Sequence, residues 1–139
     1  MVHALETVHG LLKPDGRLID IHPSDEPPPF IVRSGERSEM AGWLEETDDF
    51  IEYGQAEGAL DQAVSARLFT VEKQSAFIFN AHADTFAELS AYLAANWSDS
   101  VIPPDTAAHA EALQKTARGK TDILLREHVR ISRLRPEHR

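Results

Sequence analysis

Leu12-Lys13-Pro14-Asp15-Gly16-Arg17-Leu18-Ile19-Asp20-Ile21-His22 joins a helix stop, a turn and a strand. Pro14 cannot continue a helical hydrogen-bond ladder, and Asp15-Gly16 favours a turn. Upstream, Ala4, Leu5, Val8, Leu11 and Leu12 recur at helical spacing, so the spacing predicts a helix over 3–12. Downstream, residues 17–22 read as a strand. Its run Leu18, Ile19, Ile21 predicts burial on both faces, as in an inner strand of a parallel sheet. Pro23 and Pro27-Pro28-Pro29 then interrupt regular structure.

Working outward, Phe30–Arg33 and Met40–Glu45 read as two short strands joined as a hairpin through the polar segment Ser34–Glu39. Glu46–Asp49 reads as a solvated acidic turn. Over 55–68, Ala56, Ala59, Leu60, Ala63, Val64 and Leu68 form one apolar helical stripe. A strand is expected within Phe69–Ala81, centred on 74–81, with Phe77 and Phe79 on one face and Ala76 and Ile78 on the other. Thr85-Phe86-Ala87-Glu88 has the capping-box pattern, followed by Phe86, Leu89, Leu93 and Trp97 on one helical face. Pro103-Pro104-Asp105 opens a last helix over 105–118 that Gly119 ends. A long strand over 123–134 closes the order, with Ile123, Leu125, Val129 and Ile131 roughly alternating with charged residues.

This order of elements predicts one domain over residues 1–139, α/β or α+β, with a mixed sheet and flanking helices. The composition, 42% hydrophobic and 27% charged, is that of a chain with a core and not of a disordered one. No apolar run reaches the ~20 residues that would span a bilayer, and no signal-peptide pattern opens the sequence. The expectation is therefore a cytoplasmic protein without a membrane partner. Cysteine is absent, which removes thiolate nucleophiles and cysteine-ligated zinc. A net charge of −9 argues against nucleic acid. Yet residues 118–139 carry seven basic and three acidic side chains, against seven basic and 20 acidic over 1–117. Such a tail either meets an anionic partner or lies on the chain's own acidic surface, and its strand-like alternation favours the second.

Leu12-Lys13-Pro14-Asp15-Gly16 leading into Arg17–Ile21 resembles the LKPGG-strand segment of class I S-adenosylmethionine-dependent methyltransferases, with Asp15 where glycine is usual. Arg67-Leu68-Phe69 and Tyr92–Trp97 resemble segments of some bacterial members. The resemblance implies that 17–22 corresponds to the family's fifth strand, 74–81 to the sixth, and 123–134 to an antiparallel seventh strand inserted between them. It also implies a Rossmann-like sheet of which this chain matches only the C-terminal half. The family's Gly-rich cofactor loop has no counterpart in this sequence, whose seven glycines are scattered. No cofactor-binding residue carries over, and no cofactor is expected for the isolated chain. Without the family's fourth strand, the Leu18–His22 edge would lie open. That edge is expected to be covered by a second copy, giving a homodimer, or by a separate chain forming the N-terminal half.

Alternation places Asp20 and His22 on one face at the C-terminal end of their strand. If 74–81 runs parallel to it and 123–134 antiparallel, His82, Asp84, Lys120 and Asp122 gather at the same edge. Asp20, His22 and His82 are thus candidate acid–base or ligand-binding residues of a small enzyme or binding protein. Their spacing matches no compact metal motif, and no metal is assigned. Histidines tied to neighbouring loops at strand ends are the commoner reading. Trp43, Trp97, Phe77, Phe79 and Phe86 could line an apolar pocket, but aromatics at this spacing are more often core. His109 and Glu111 are expected to face solvent. His3, His9, His128 and His138 form no constellation.

Overall fold

A computed structural model describes residues 1–48 and 50–138. Asp49 of the expected acidic turn and Arg139 of the basic tail lie outside the described residues. In chain order the elements are α1 (Val2–Leu11), β1 (Leu18–Pro23), β2 (Pro29–Ser34), β3 (Arg37–Trp43), β4 (Glu45–Glu46), α2 (Ile51–Ser65), β5 (Phe69–Ala83), α3 (Phe86–Asn96), β6 (Ser100–Val101), α4 (Pro104–Thr116) and β7 (Thr121–Pro136). The chain is α/β, with helices flanking antiparallel strand pairs. Its contacts divide it into two compact units. One holds Met1–Asp25, Ile51–Phe77 and His128–Arg139; the other holds Glu26–Phe50 and Ile78–Glu127. The long strands β5 and β7 contribute to both.

In the first unit β1 pairs antiparallel with β7, Leu18 opposite Leu134 and His22 opposite Arg130. The N-terminal part of β5 pairs with the same stretch of β7, and Arg133 Nε reaches Glu72 at 3.1 Å. A strand has two hydrogen-bonding edges, so β7 lies between β1 and β5. Being antiparallel to both, it leaves β1 and β5 running in the same direction. This is the order expected for 17–22, 123–134 and 74–81. Helices α1 and α2 pack together, and α2 contacts β1. The core is Leu60, Ala63, Phe69 and Leu134, with Leu5, Leu12, Leu18, Val64, Leu68 and Val71 against it.

Two expectations fail in this unit. Only the Leu18 face of β1 meets that core. Ile19 and Ile21 point the other way and remain 50% and 57% exposed, so β1 is not buried on both faces. Helix α2 also begins and ends earlier than the apolar stripe predicts. Arg67 adopts φ +57°, with its N–H on the Val64 carbonyl and the Leu68 N–H on the Ala63 carbonyl. That left-handed closure ends the helix although Ala66, Arg67 and Leu68 are good helix formers; it sets Leu68 against the core that Phe69 enters.

In the second unit β2 and β3 form the expected hairpin, but with a tighter turn. Ser34 pairs with Arg37, and only Gly35 and Glu36 connect them, Gly35 at φ +59°. β2 also pairs with β7, Phe30 opposite Leu125 and Val32 opposite Ile123. The core gathers Phe30, Val32, Ala41, Leu44, Phe86, Leu89, Leu93, Ala110, Ile123 and Leu125. The Thr85 hydroxyl accepts the Glu88 N–H at 3.2 Å, so the capping-box expectation for α3 holds. Pro104 occupies the first turn of α4. Helix α4 crosses β3 closely at Gly42, where φ is +151° and an added Cβ would lie 2.2 Å from the Thr106 hydroxyl. The two-residue ladder of β4 with β6 was not anticipated; elements this short carry no periodicity.

Of the five aromatics, Phe86 is buried and Trp97 packs on the core, donating its indole N–H to Glu46 at 2.7 Å. Trp43, Phe77 and Phe79 are 50%, 44% and 55% exposed. They form neither core nor a common apolar pocket. β5 is exposed over residues 73–80.

Candidate functional site

β1 brings Asp20 and His22 to the same face, as alternation requires. His22 Nδ1 lies 2.6 Å from Asp20 Oδ2, which makes Nδ1 the protonated nitrogen, donating to the carboxylate. The His22 side chain is about nine-tenths buried, and among the described residues its Nε2 is buried without a hydrogen-bond partner. This is an oriented Asp–His pair whose second ring nitrogen is enclosed by the protein. His22 and Asp20 belong to the first unit.

The remaining expected residues assemble in the second unit. His82, at the end of β5, places Nδ1 3.2 Å from Asp122 Oδ1 at the start of β7. Arg33, from β2, donates Nη2 to the other oxygen of Asp122 at 2.5 Å. Lys120 Nζ stands 3.9 Å from Asp84, and the Thr121 hydroxyl donates to the Asp84 carbonyl at 3.0 Å. With Gly35 these residues border an open cleft of about 380 Å³. The antiparallel pairing of β5 with β7 brings His82, Asp84, Lys120 and Asp122 together. Arg33 was not anticipated, and the hairpin register supplies it opposite Asp122. The cluster is exposed, and its two acids are matched by neighbouring bases.

Much of the basic tail lies on the chain's own acids. Arg130 reaches Glu57 at 2.7 Å, and Arg133 shares Glu72 with Arg17. The Arg17 hydrogen bond, aided by the charges of Arg17, Arg133 and Arg135, holds the Glu72 carboxyl below its ordinary range against a smaller opposing effect of burial. In the second unit burial pushes the Glu127 carboxyl up, and the nearby Glu46 charge adds to it. No group of three or more metal-ligating side chains occurs among the described residues.

Two histidines take roles the sequence did not signal. His9 Nε2 bonds the Glu137 carbonyl at 2.8 Å and packs edge-on to Phe69, with His138 5.3 Å away ring to ring. His109 is exposed as expected, yet its Nδ1 meets the Ala41 carbonyl at 3.0 Å.

The open edge of β1 is one departure from a self-contained sheet, and β5, paired among the described residues with β7 alone, is another. Among the described residues β1 is hydrogen-bonded by β7 alone. Its other row of amides and carbonyls borders the exposed Ile19 and Ile21. No helix of the described chain is long and apolar enough to cross a membrane. The chain matches no protein-family model, no curated protein and no solved structure.

Proposed function

We propose that this chain is a methyltransferase-like partial sheet that acts by association, with no S-adenosylmethionine-dependent activity of its own, and that its partner at β1 is a second copy. The observation that carries this reading is the outer edge of β1, bonded on one side only and flanked by Ile19 and Ile21. Unpaired strand edges beside apolar surface favour strand addition. The order β1–β7–β5, with β7 antiparallel, agrees with what the LKPDG resemblance implies for the fifth, seventh and sixth strands. That agreement supports the methyltransferase-like part of the reading.

The β1 sequence suits self-pairing. Two antiparallel copies centred on Ile21 set Ile21 opposite Ile21, Ile19 opposite Pro23, and Asp20 opposite His22. The apolar pairs then share one face, and the acid faces the imidazole on the other. A two-fold interface of this kind closes on itself at β1.

Multi-angle light scattering of the intact chain, with the Ile19→Asp/Ile21→Asp double variant alongside, tests the reading. Both side chains are exposed, so the variant keeps the fold of the protomer, which circular dichroism verifies. The wild type is expected near twice its 15.5 kDa chain mass, and the variant near one. Binding of S-adenosylmethionine by the isolated chain at micromolar concentration would overturn the claim that it lacks the cofactor chemistry.

A further inference from the structure

Helix α4 ends beside the β2–β3 hairpin, and the two leave a cavity of about 560 Å³. Its walls differ sharply in chemistry. Val32, Leu113 and Ala117 supply apolar surface, with Val32 also belonging to the core of this unit. Ser34 and Thr116 contribute hydroxyls. Arg37, Arg118 and Glu39 complete the lining. Unlike most of the bases described above, Arg37 and Arg118 are in no ion pair among the described residues. The hairpin register brings their backbones close: Ser34 pairs with Arg37, and its hydroxyl donates to the Arg118 carbonyl at 3.3 Å. Two guanidiniums in no ion pair therefore spring from one end of a mostly polar cavity with an apolar wall, on a protein whose net charge is −9.

We propose that this cavity binds a small organic anion, with its apolar body against Val32, Leu113 and Ala117 and its carboxylate or phosphate on Arg37 and Arg118. Guanidinium groups match planar oxyanions through paired N–H donors, and such charge-assisted bonds are about twice as strong as neutral ones. Pockets of a few hundred Å³ that combine apolar walls with a few convergent polar groups are the usual geometry of small-molecule sites. The Glu39 carboxylate and the carbonyl end of α4 subtract from the positive charge without cancelling it. Glu39 stands opposite Val32 in the hairpin, two pairs deeper than Arg37. The favoured ligand therefore carries its charge at one end and presents no second anionic group to the inner wall.

Titration of the isotopically labelled protein with phenyl phosphate and with 3-phenylpropionate, followed by amide chemical shifts, tests the site. Inorganic phosphate and benzyl alcohol serve as half-ligand controls. At least one aromatic anion is expected to move the Val32, Leu113, Thr116 and Ala117 resonances together, and the tighter of the two identifies the head group. Arg37→Ala and Arg118→Ala should each weaken binding about ten-fold, the loss of one charge-assisted bond. Glu39→Gln should tighten it several-fold. All three side chains are exposed, so the variants keep the fold, and unchanged spectra away from the cavity verify this. The proposal is overturned by absence of binding up to about 10 mM, weaker than any useful site. It is equally overturned if arginine removal has no effect, or if inorganic phosphate binds as tightly as the aromatic anions.

Discussion

At the residue scale, the Asp20–His22 pair shows what alternation alone can foresee. Two residues apart on a strand means one face, and the 2.6 Å contact follows from short side chains on that face. The sequence could not show that Nε2 would be buried without a partner, because that depends on the packing around it. Glu127 is a second such case. Nothing in Arg126-Glu127-His128 signals a destabilised carboxylate; the cause is burial, with the approach of Glu46 from a separate strand. Since the folded chain holds this proton more tightly than the unfolded one, stability falls as pH rises from the ordinary value of 4.5 through the raised folded value. Glu127→Gln removes that loss. Thermal melts should show the variant with a higher Tm than wild type at pH 7, the gap closing below pH 4.5. A gap that persists at low pH would point to a cause other than ionisation.

At the scale of elements, signals confined to a few adjacent residues were legible. Thr85 caps α3, Pro104 opens α4 and the hairpin turns at Gly35, each through local chemistry. The end of α2 was not legible, since a left-handed arginine contradicts local preference and sets Leu68 against the core and Phe69 within it. Relieving the left-handed cost of Arg67 is worth roughly 1–2 kcal/mol, less the greater unfolded freedom of glycine, so Arg67→Gly should stabilise by roughly 0.5–1 kcal/mol. Urea unfolding measures it, and a lower midpoint would contradict the helix end described here. Gly42 presents the opposite case. A Cβ there meets Thr106 on α4 at 2.2 Å, and the φ of +151° disfavours any side chain. Gly42→Ala should cost about 1–3 kcal/mol by the same assay. Thr106→Ala in the double variant would restore stability only in part, because the backbone strain remains, and Thr106→Ser, which keeps the clashing hydroxyl, would not restore it.

At the scale of the whole molecule, the order of β1, β7 and β5 was readable, while the coverage of faces was not. Ile19, Ile21, Phe77 and Phe79 carry the hydrophobicity of core residues and lie exposed. Hydrophobic pattern reports which faces are suited to burial, not whether this chain supplies the cover. The disagreement falls on β1 and β5, the strands flanking β7, and the association proposed at β1 would cover the first of them.

The mass of the intact chain in solution tests this account most directly. Light scattering across a concentration series should give about 31 kDa, twice the 15.5 kDa chain, falling to a single chain mass when Ile19 and Ile21 are both replaced by aspartate. A wild-type chain that stays at 15.5 kDa up to the highest attainable concentration, or a dimer that survives the double substitution, would contradict it.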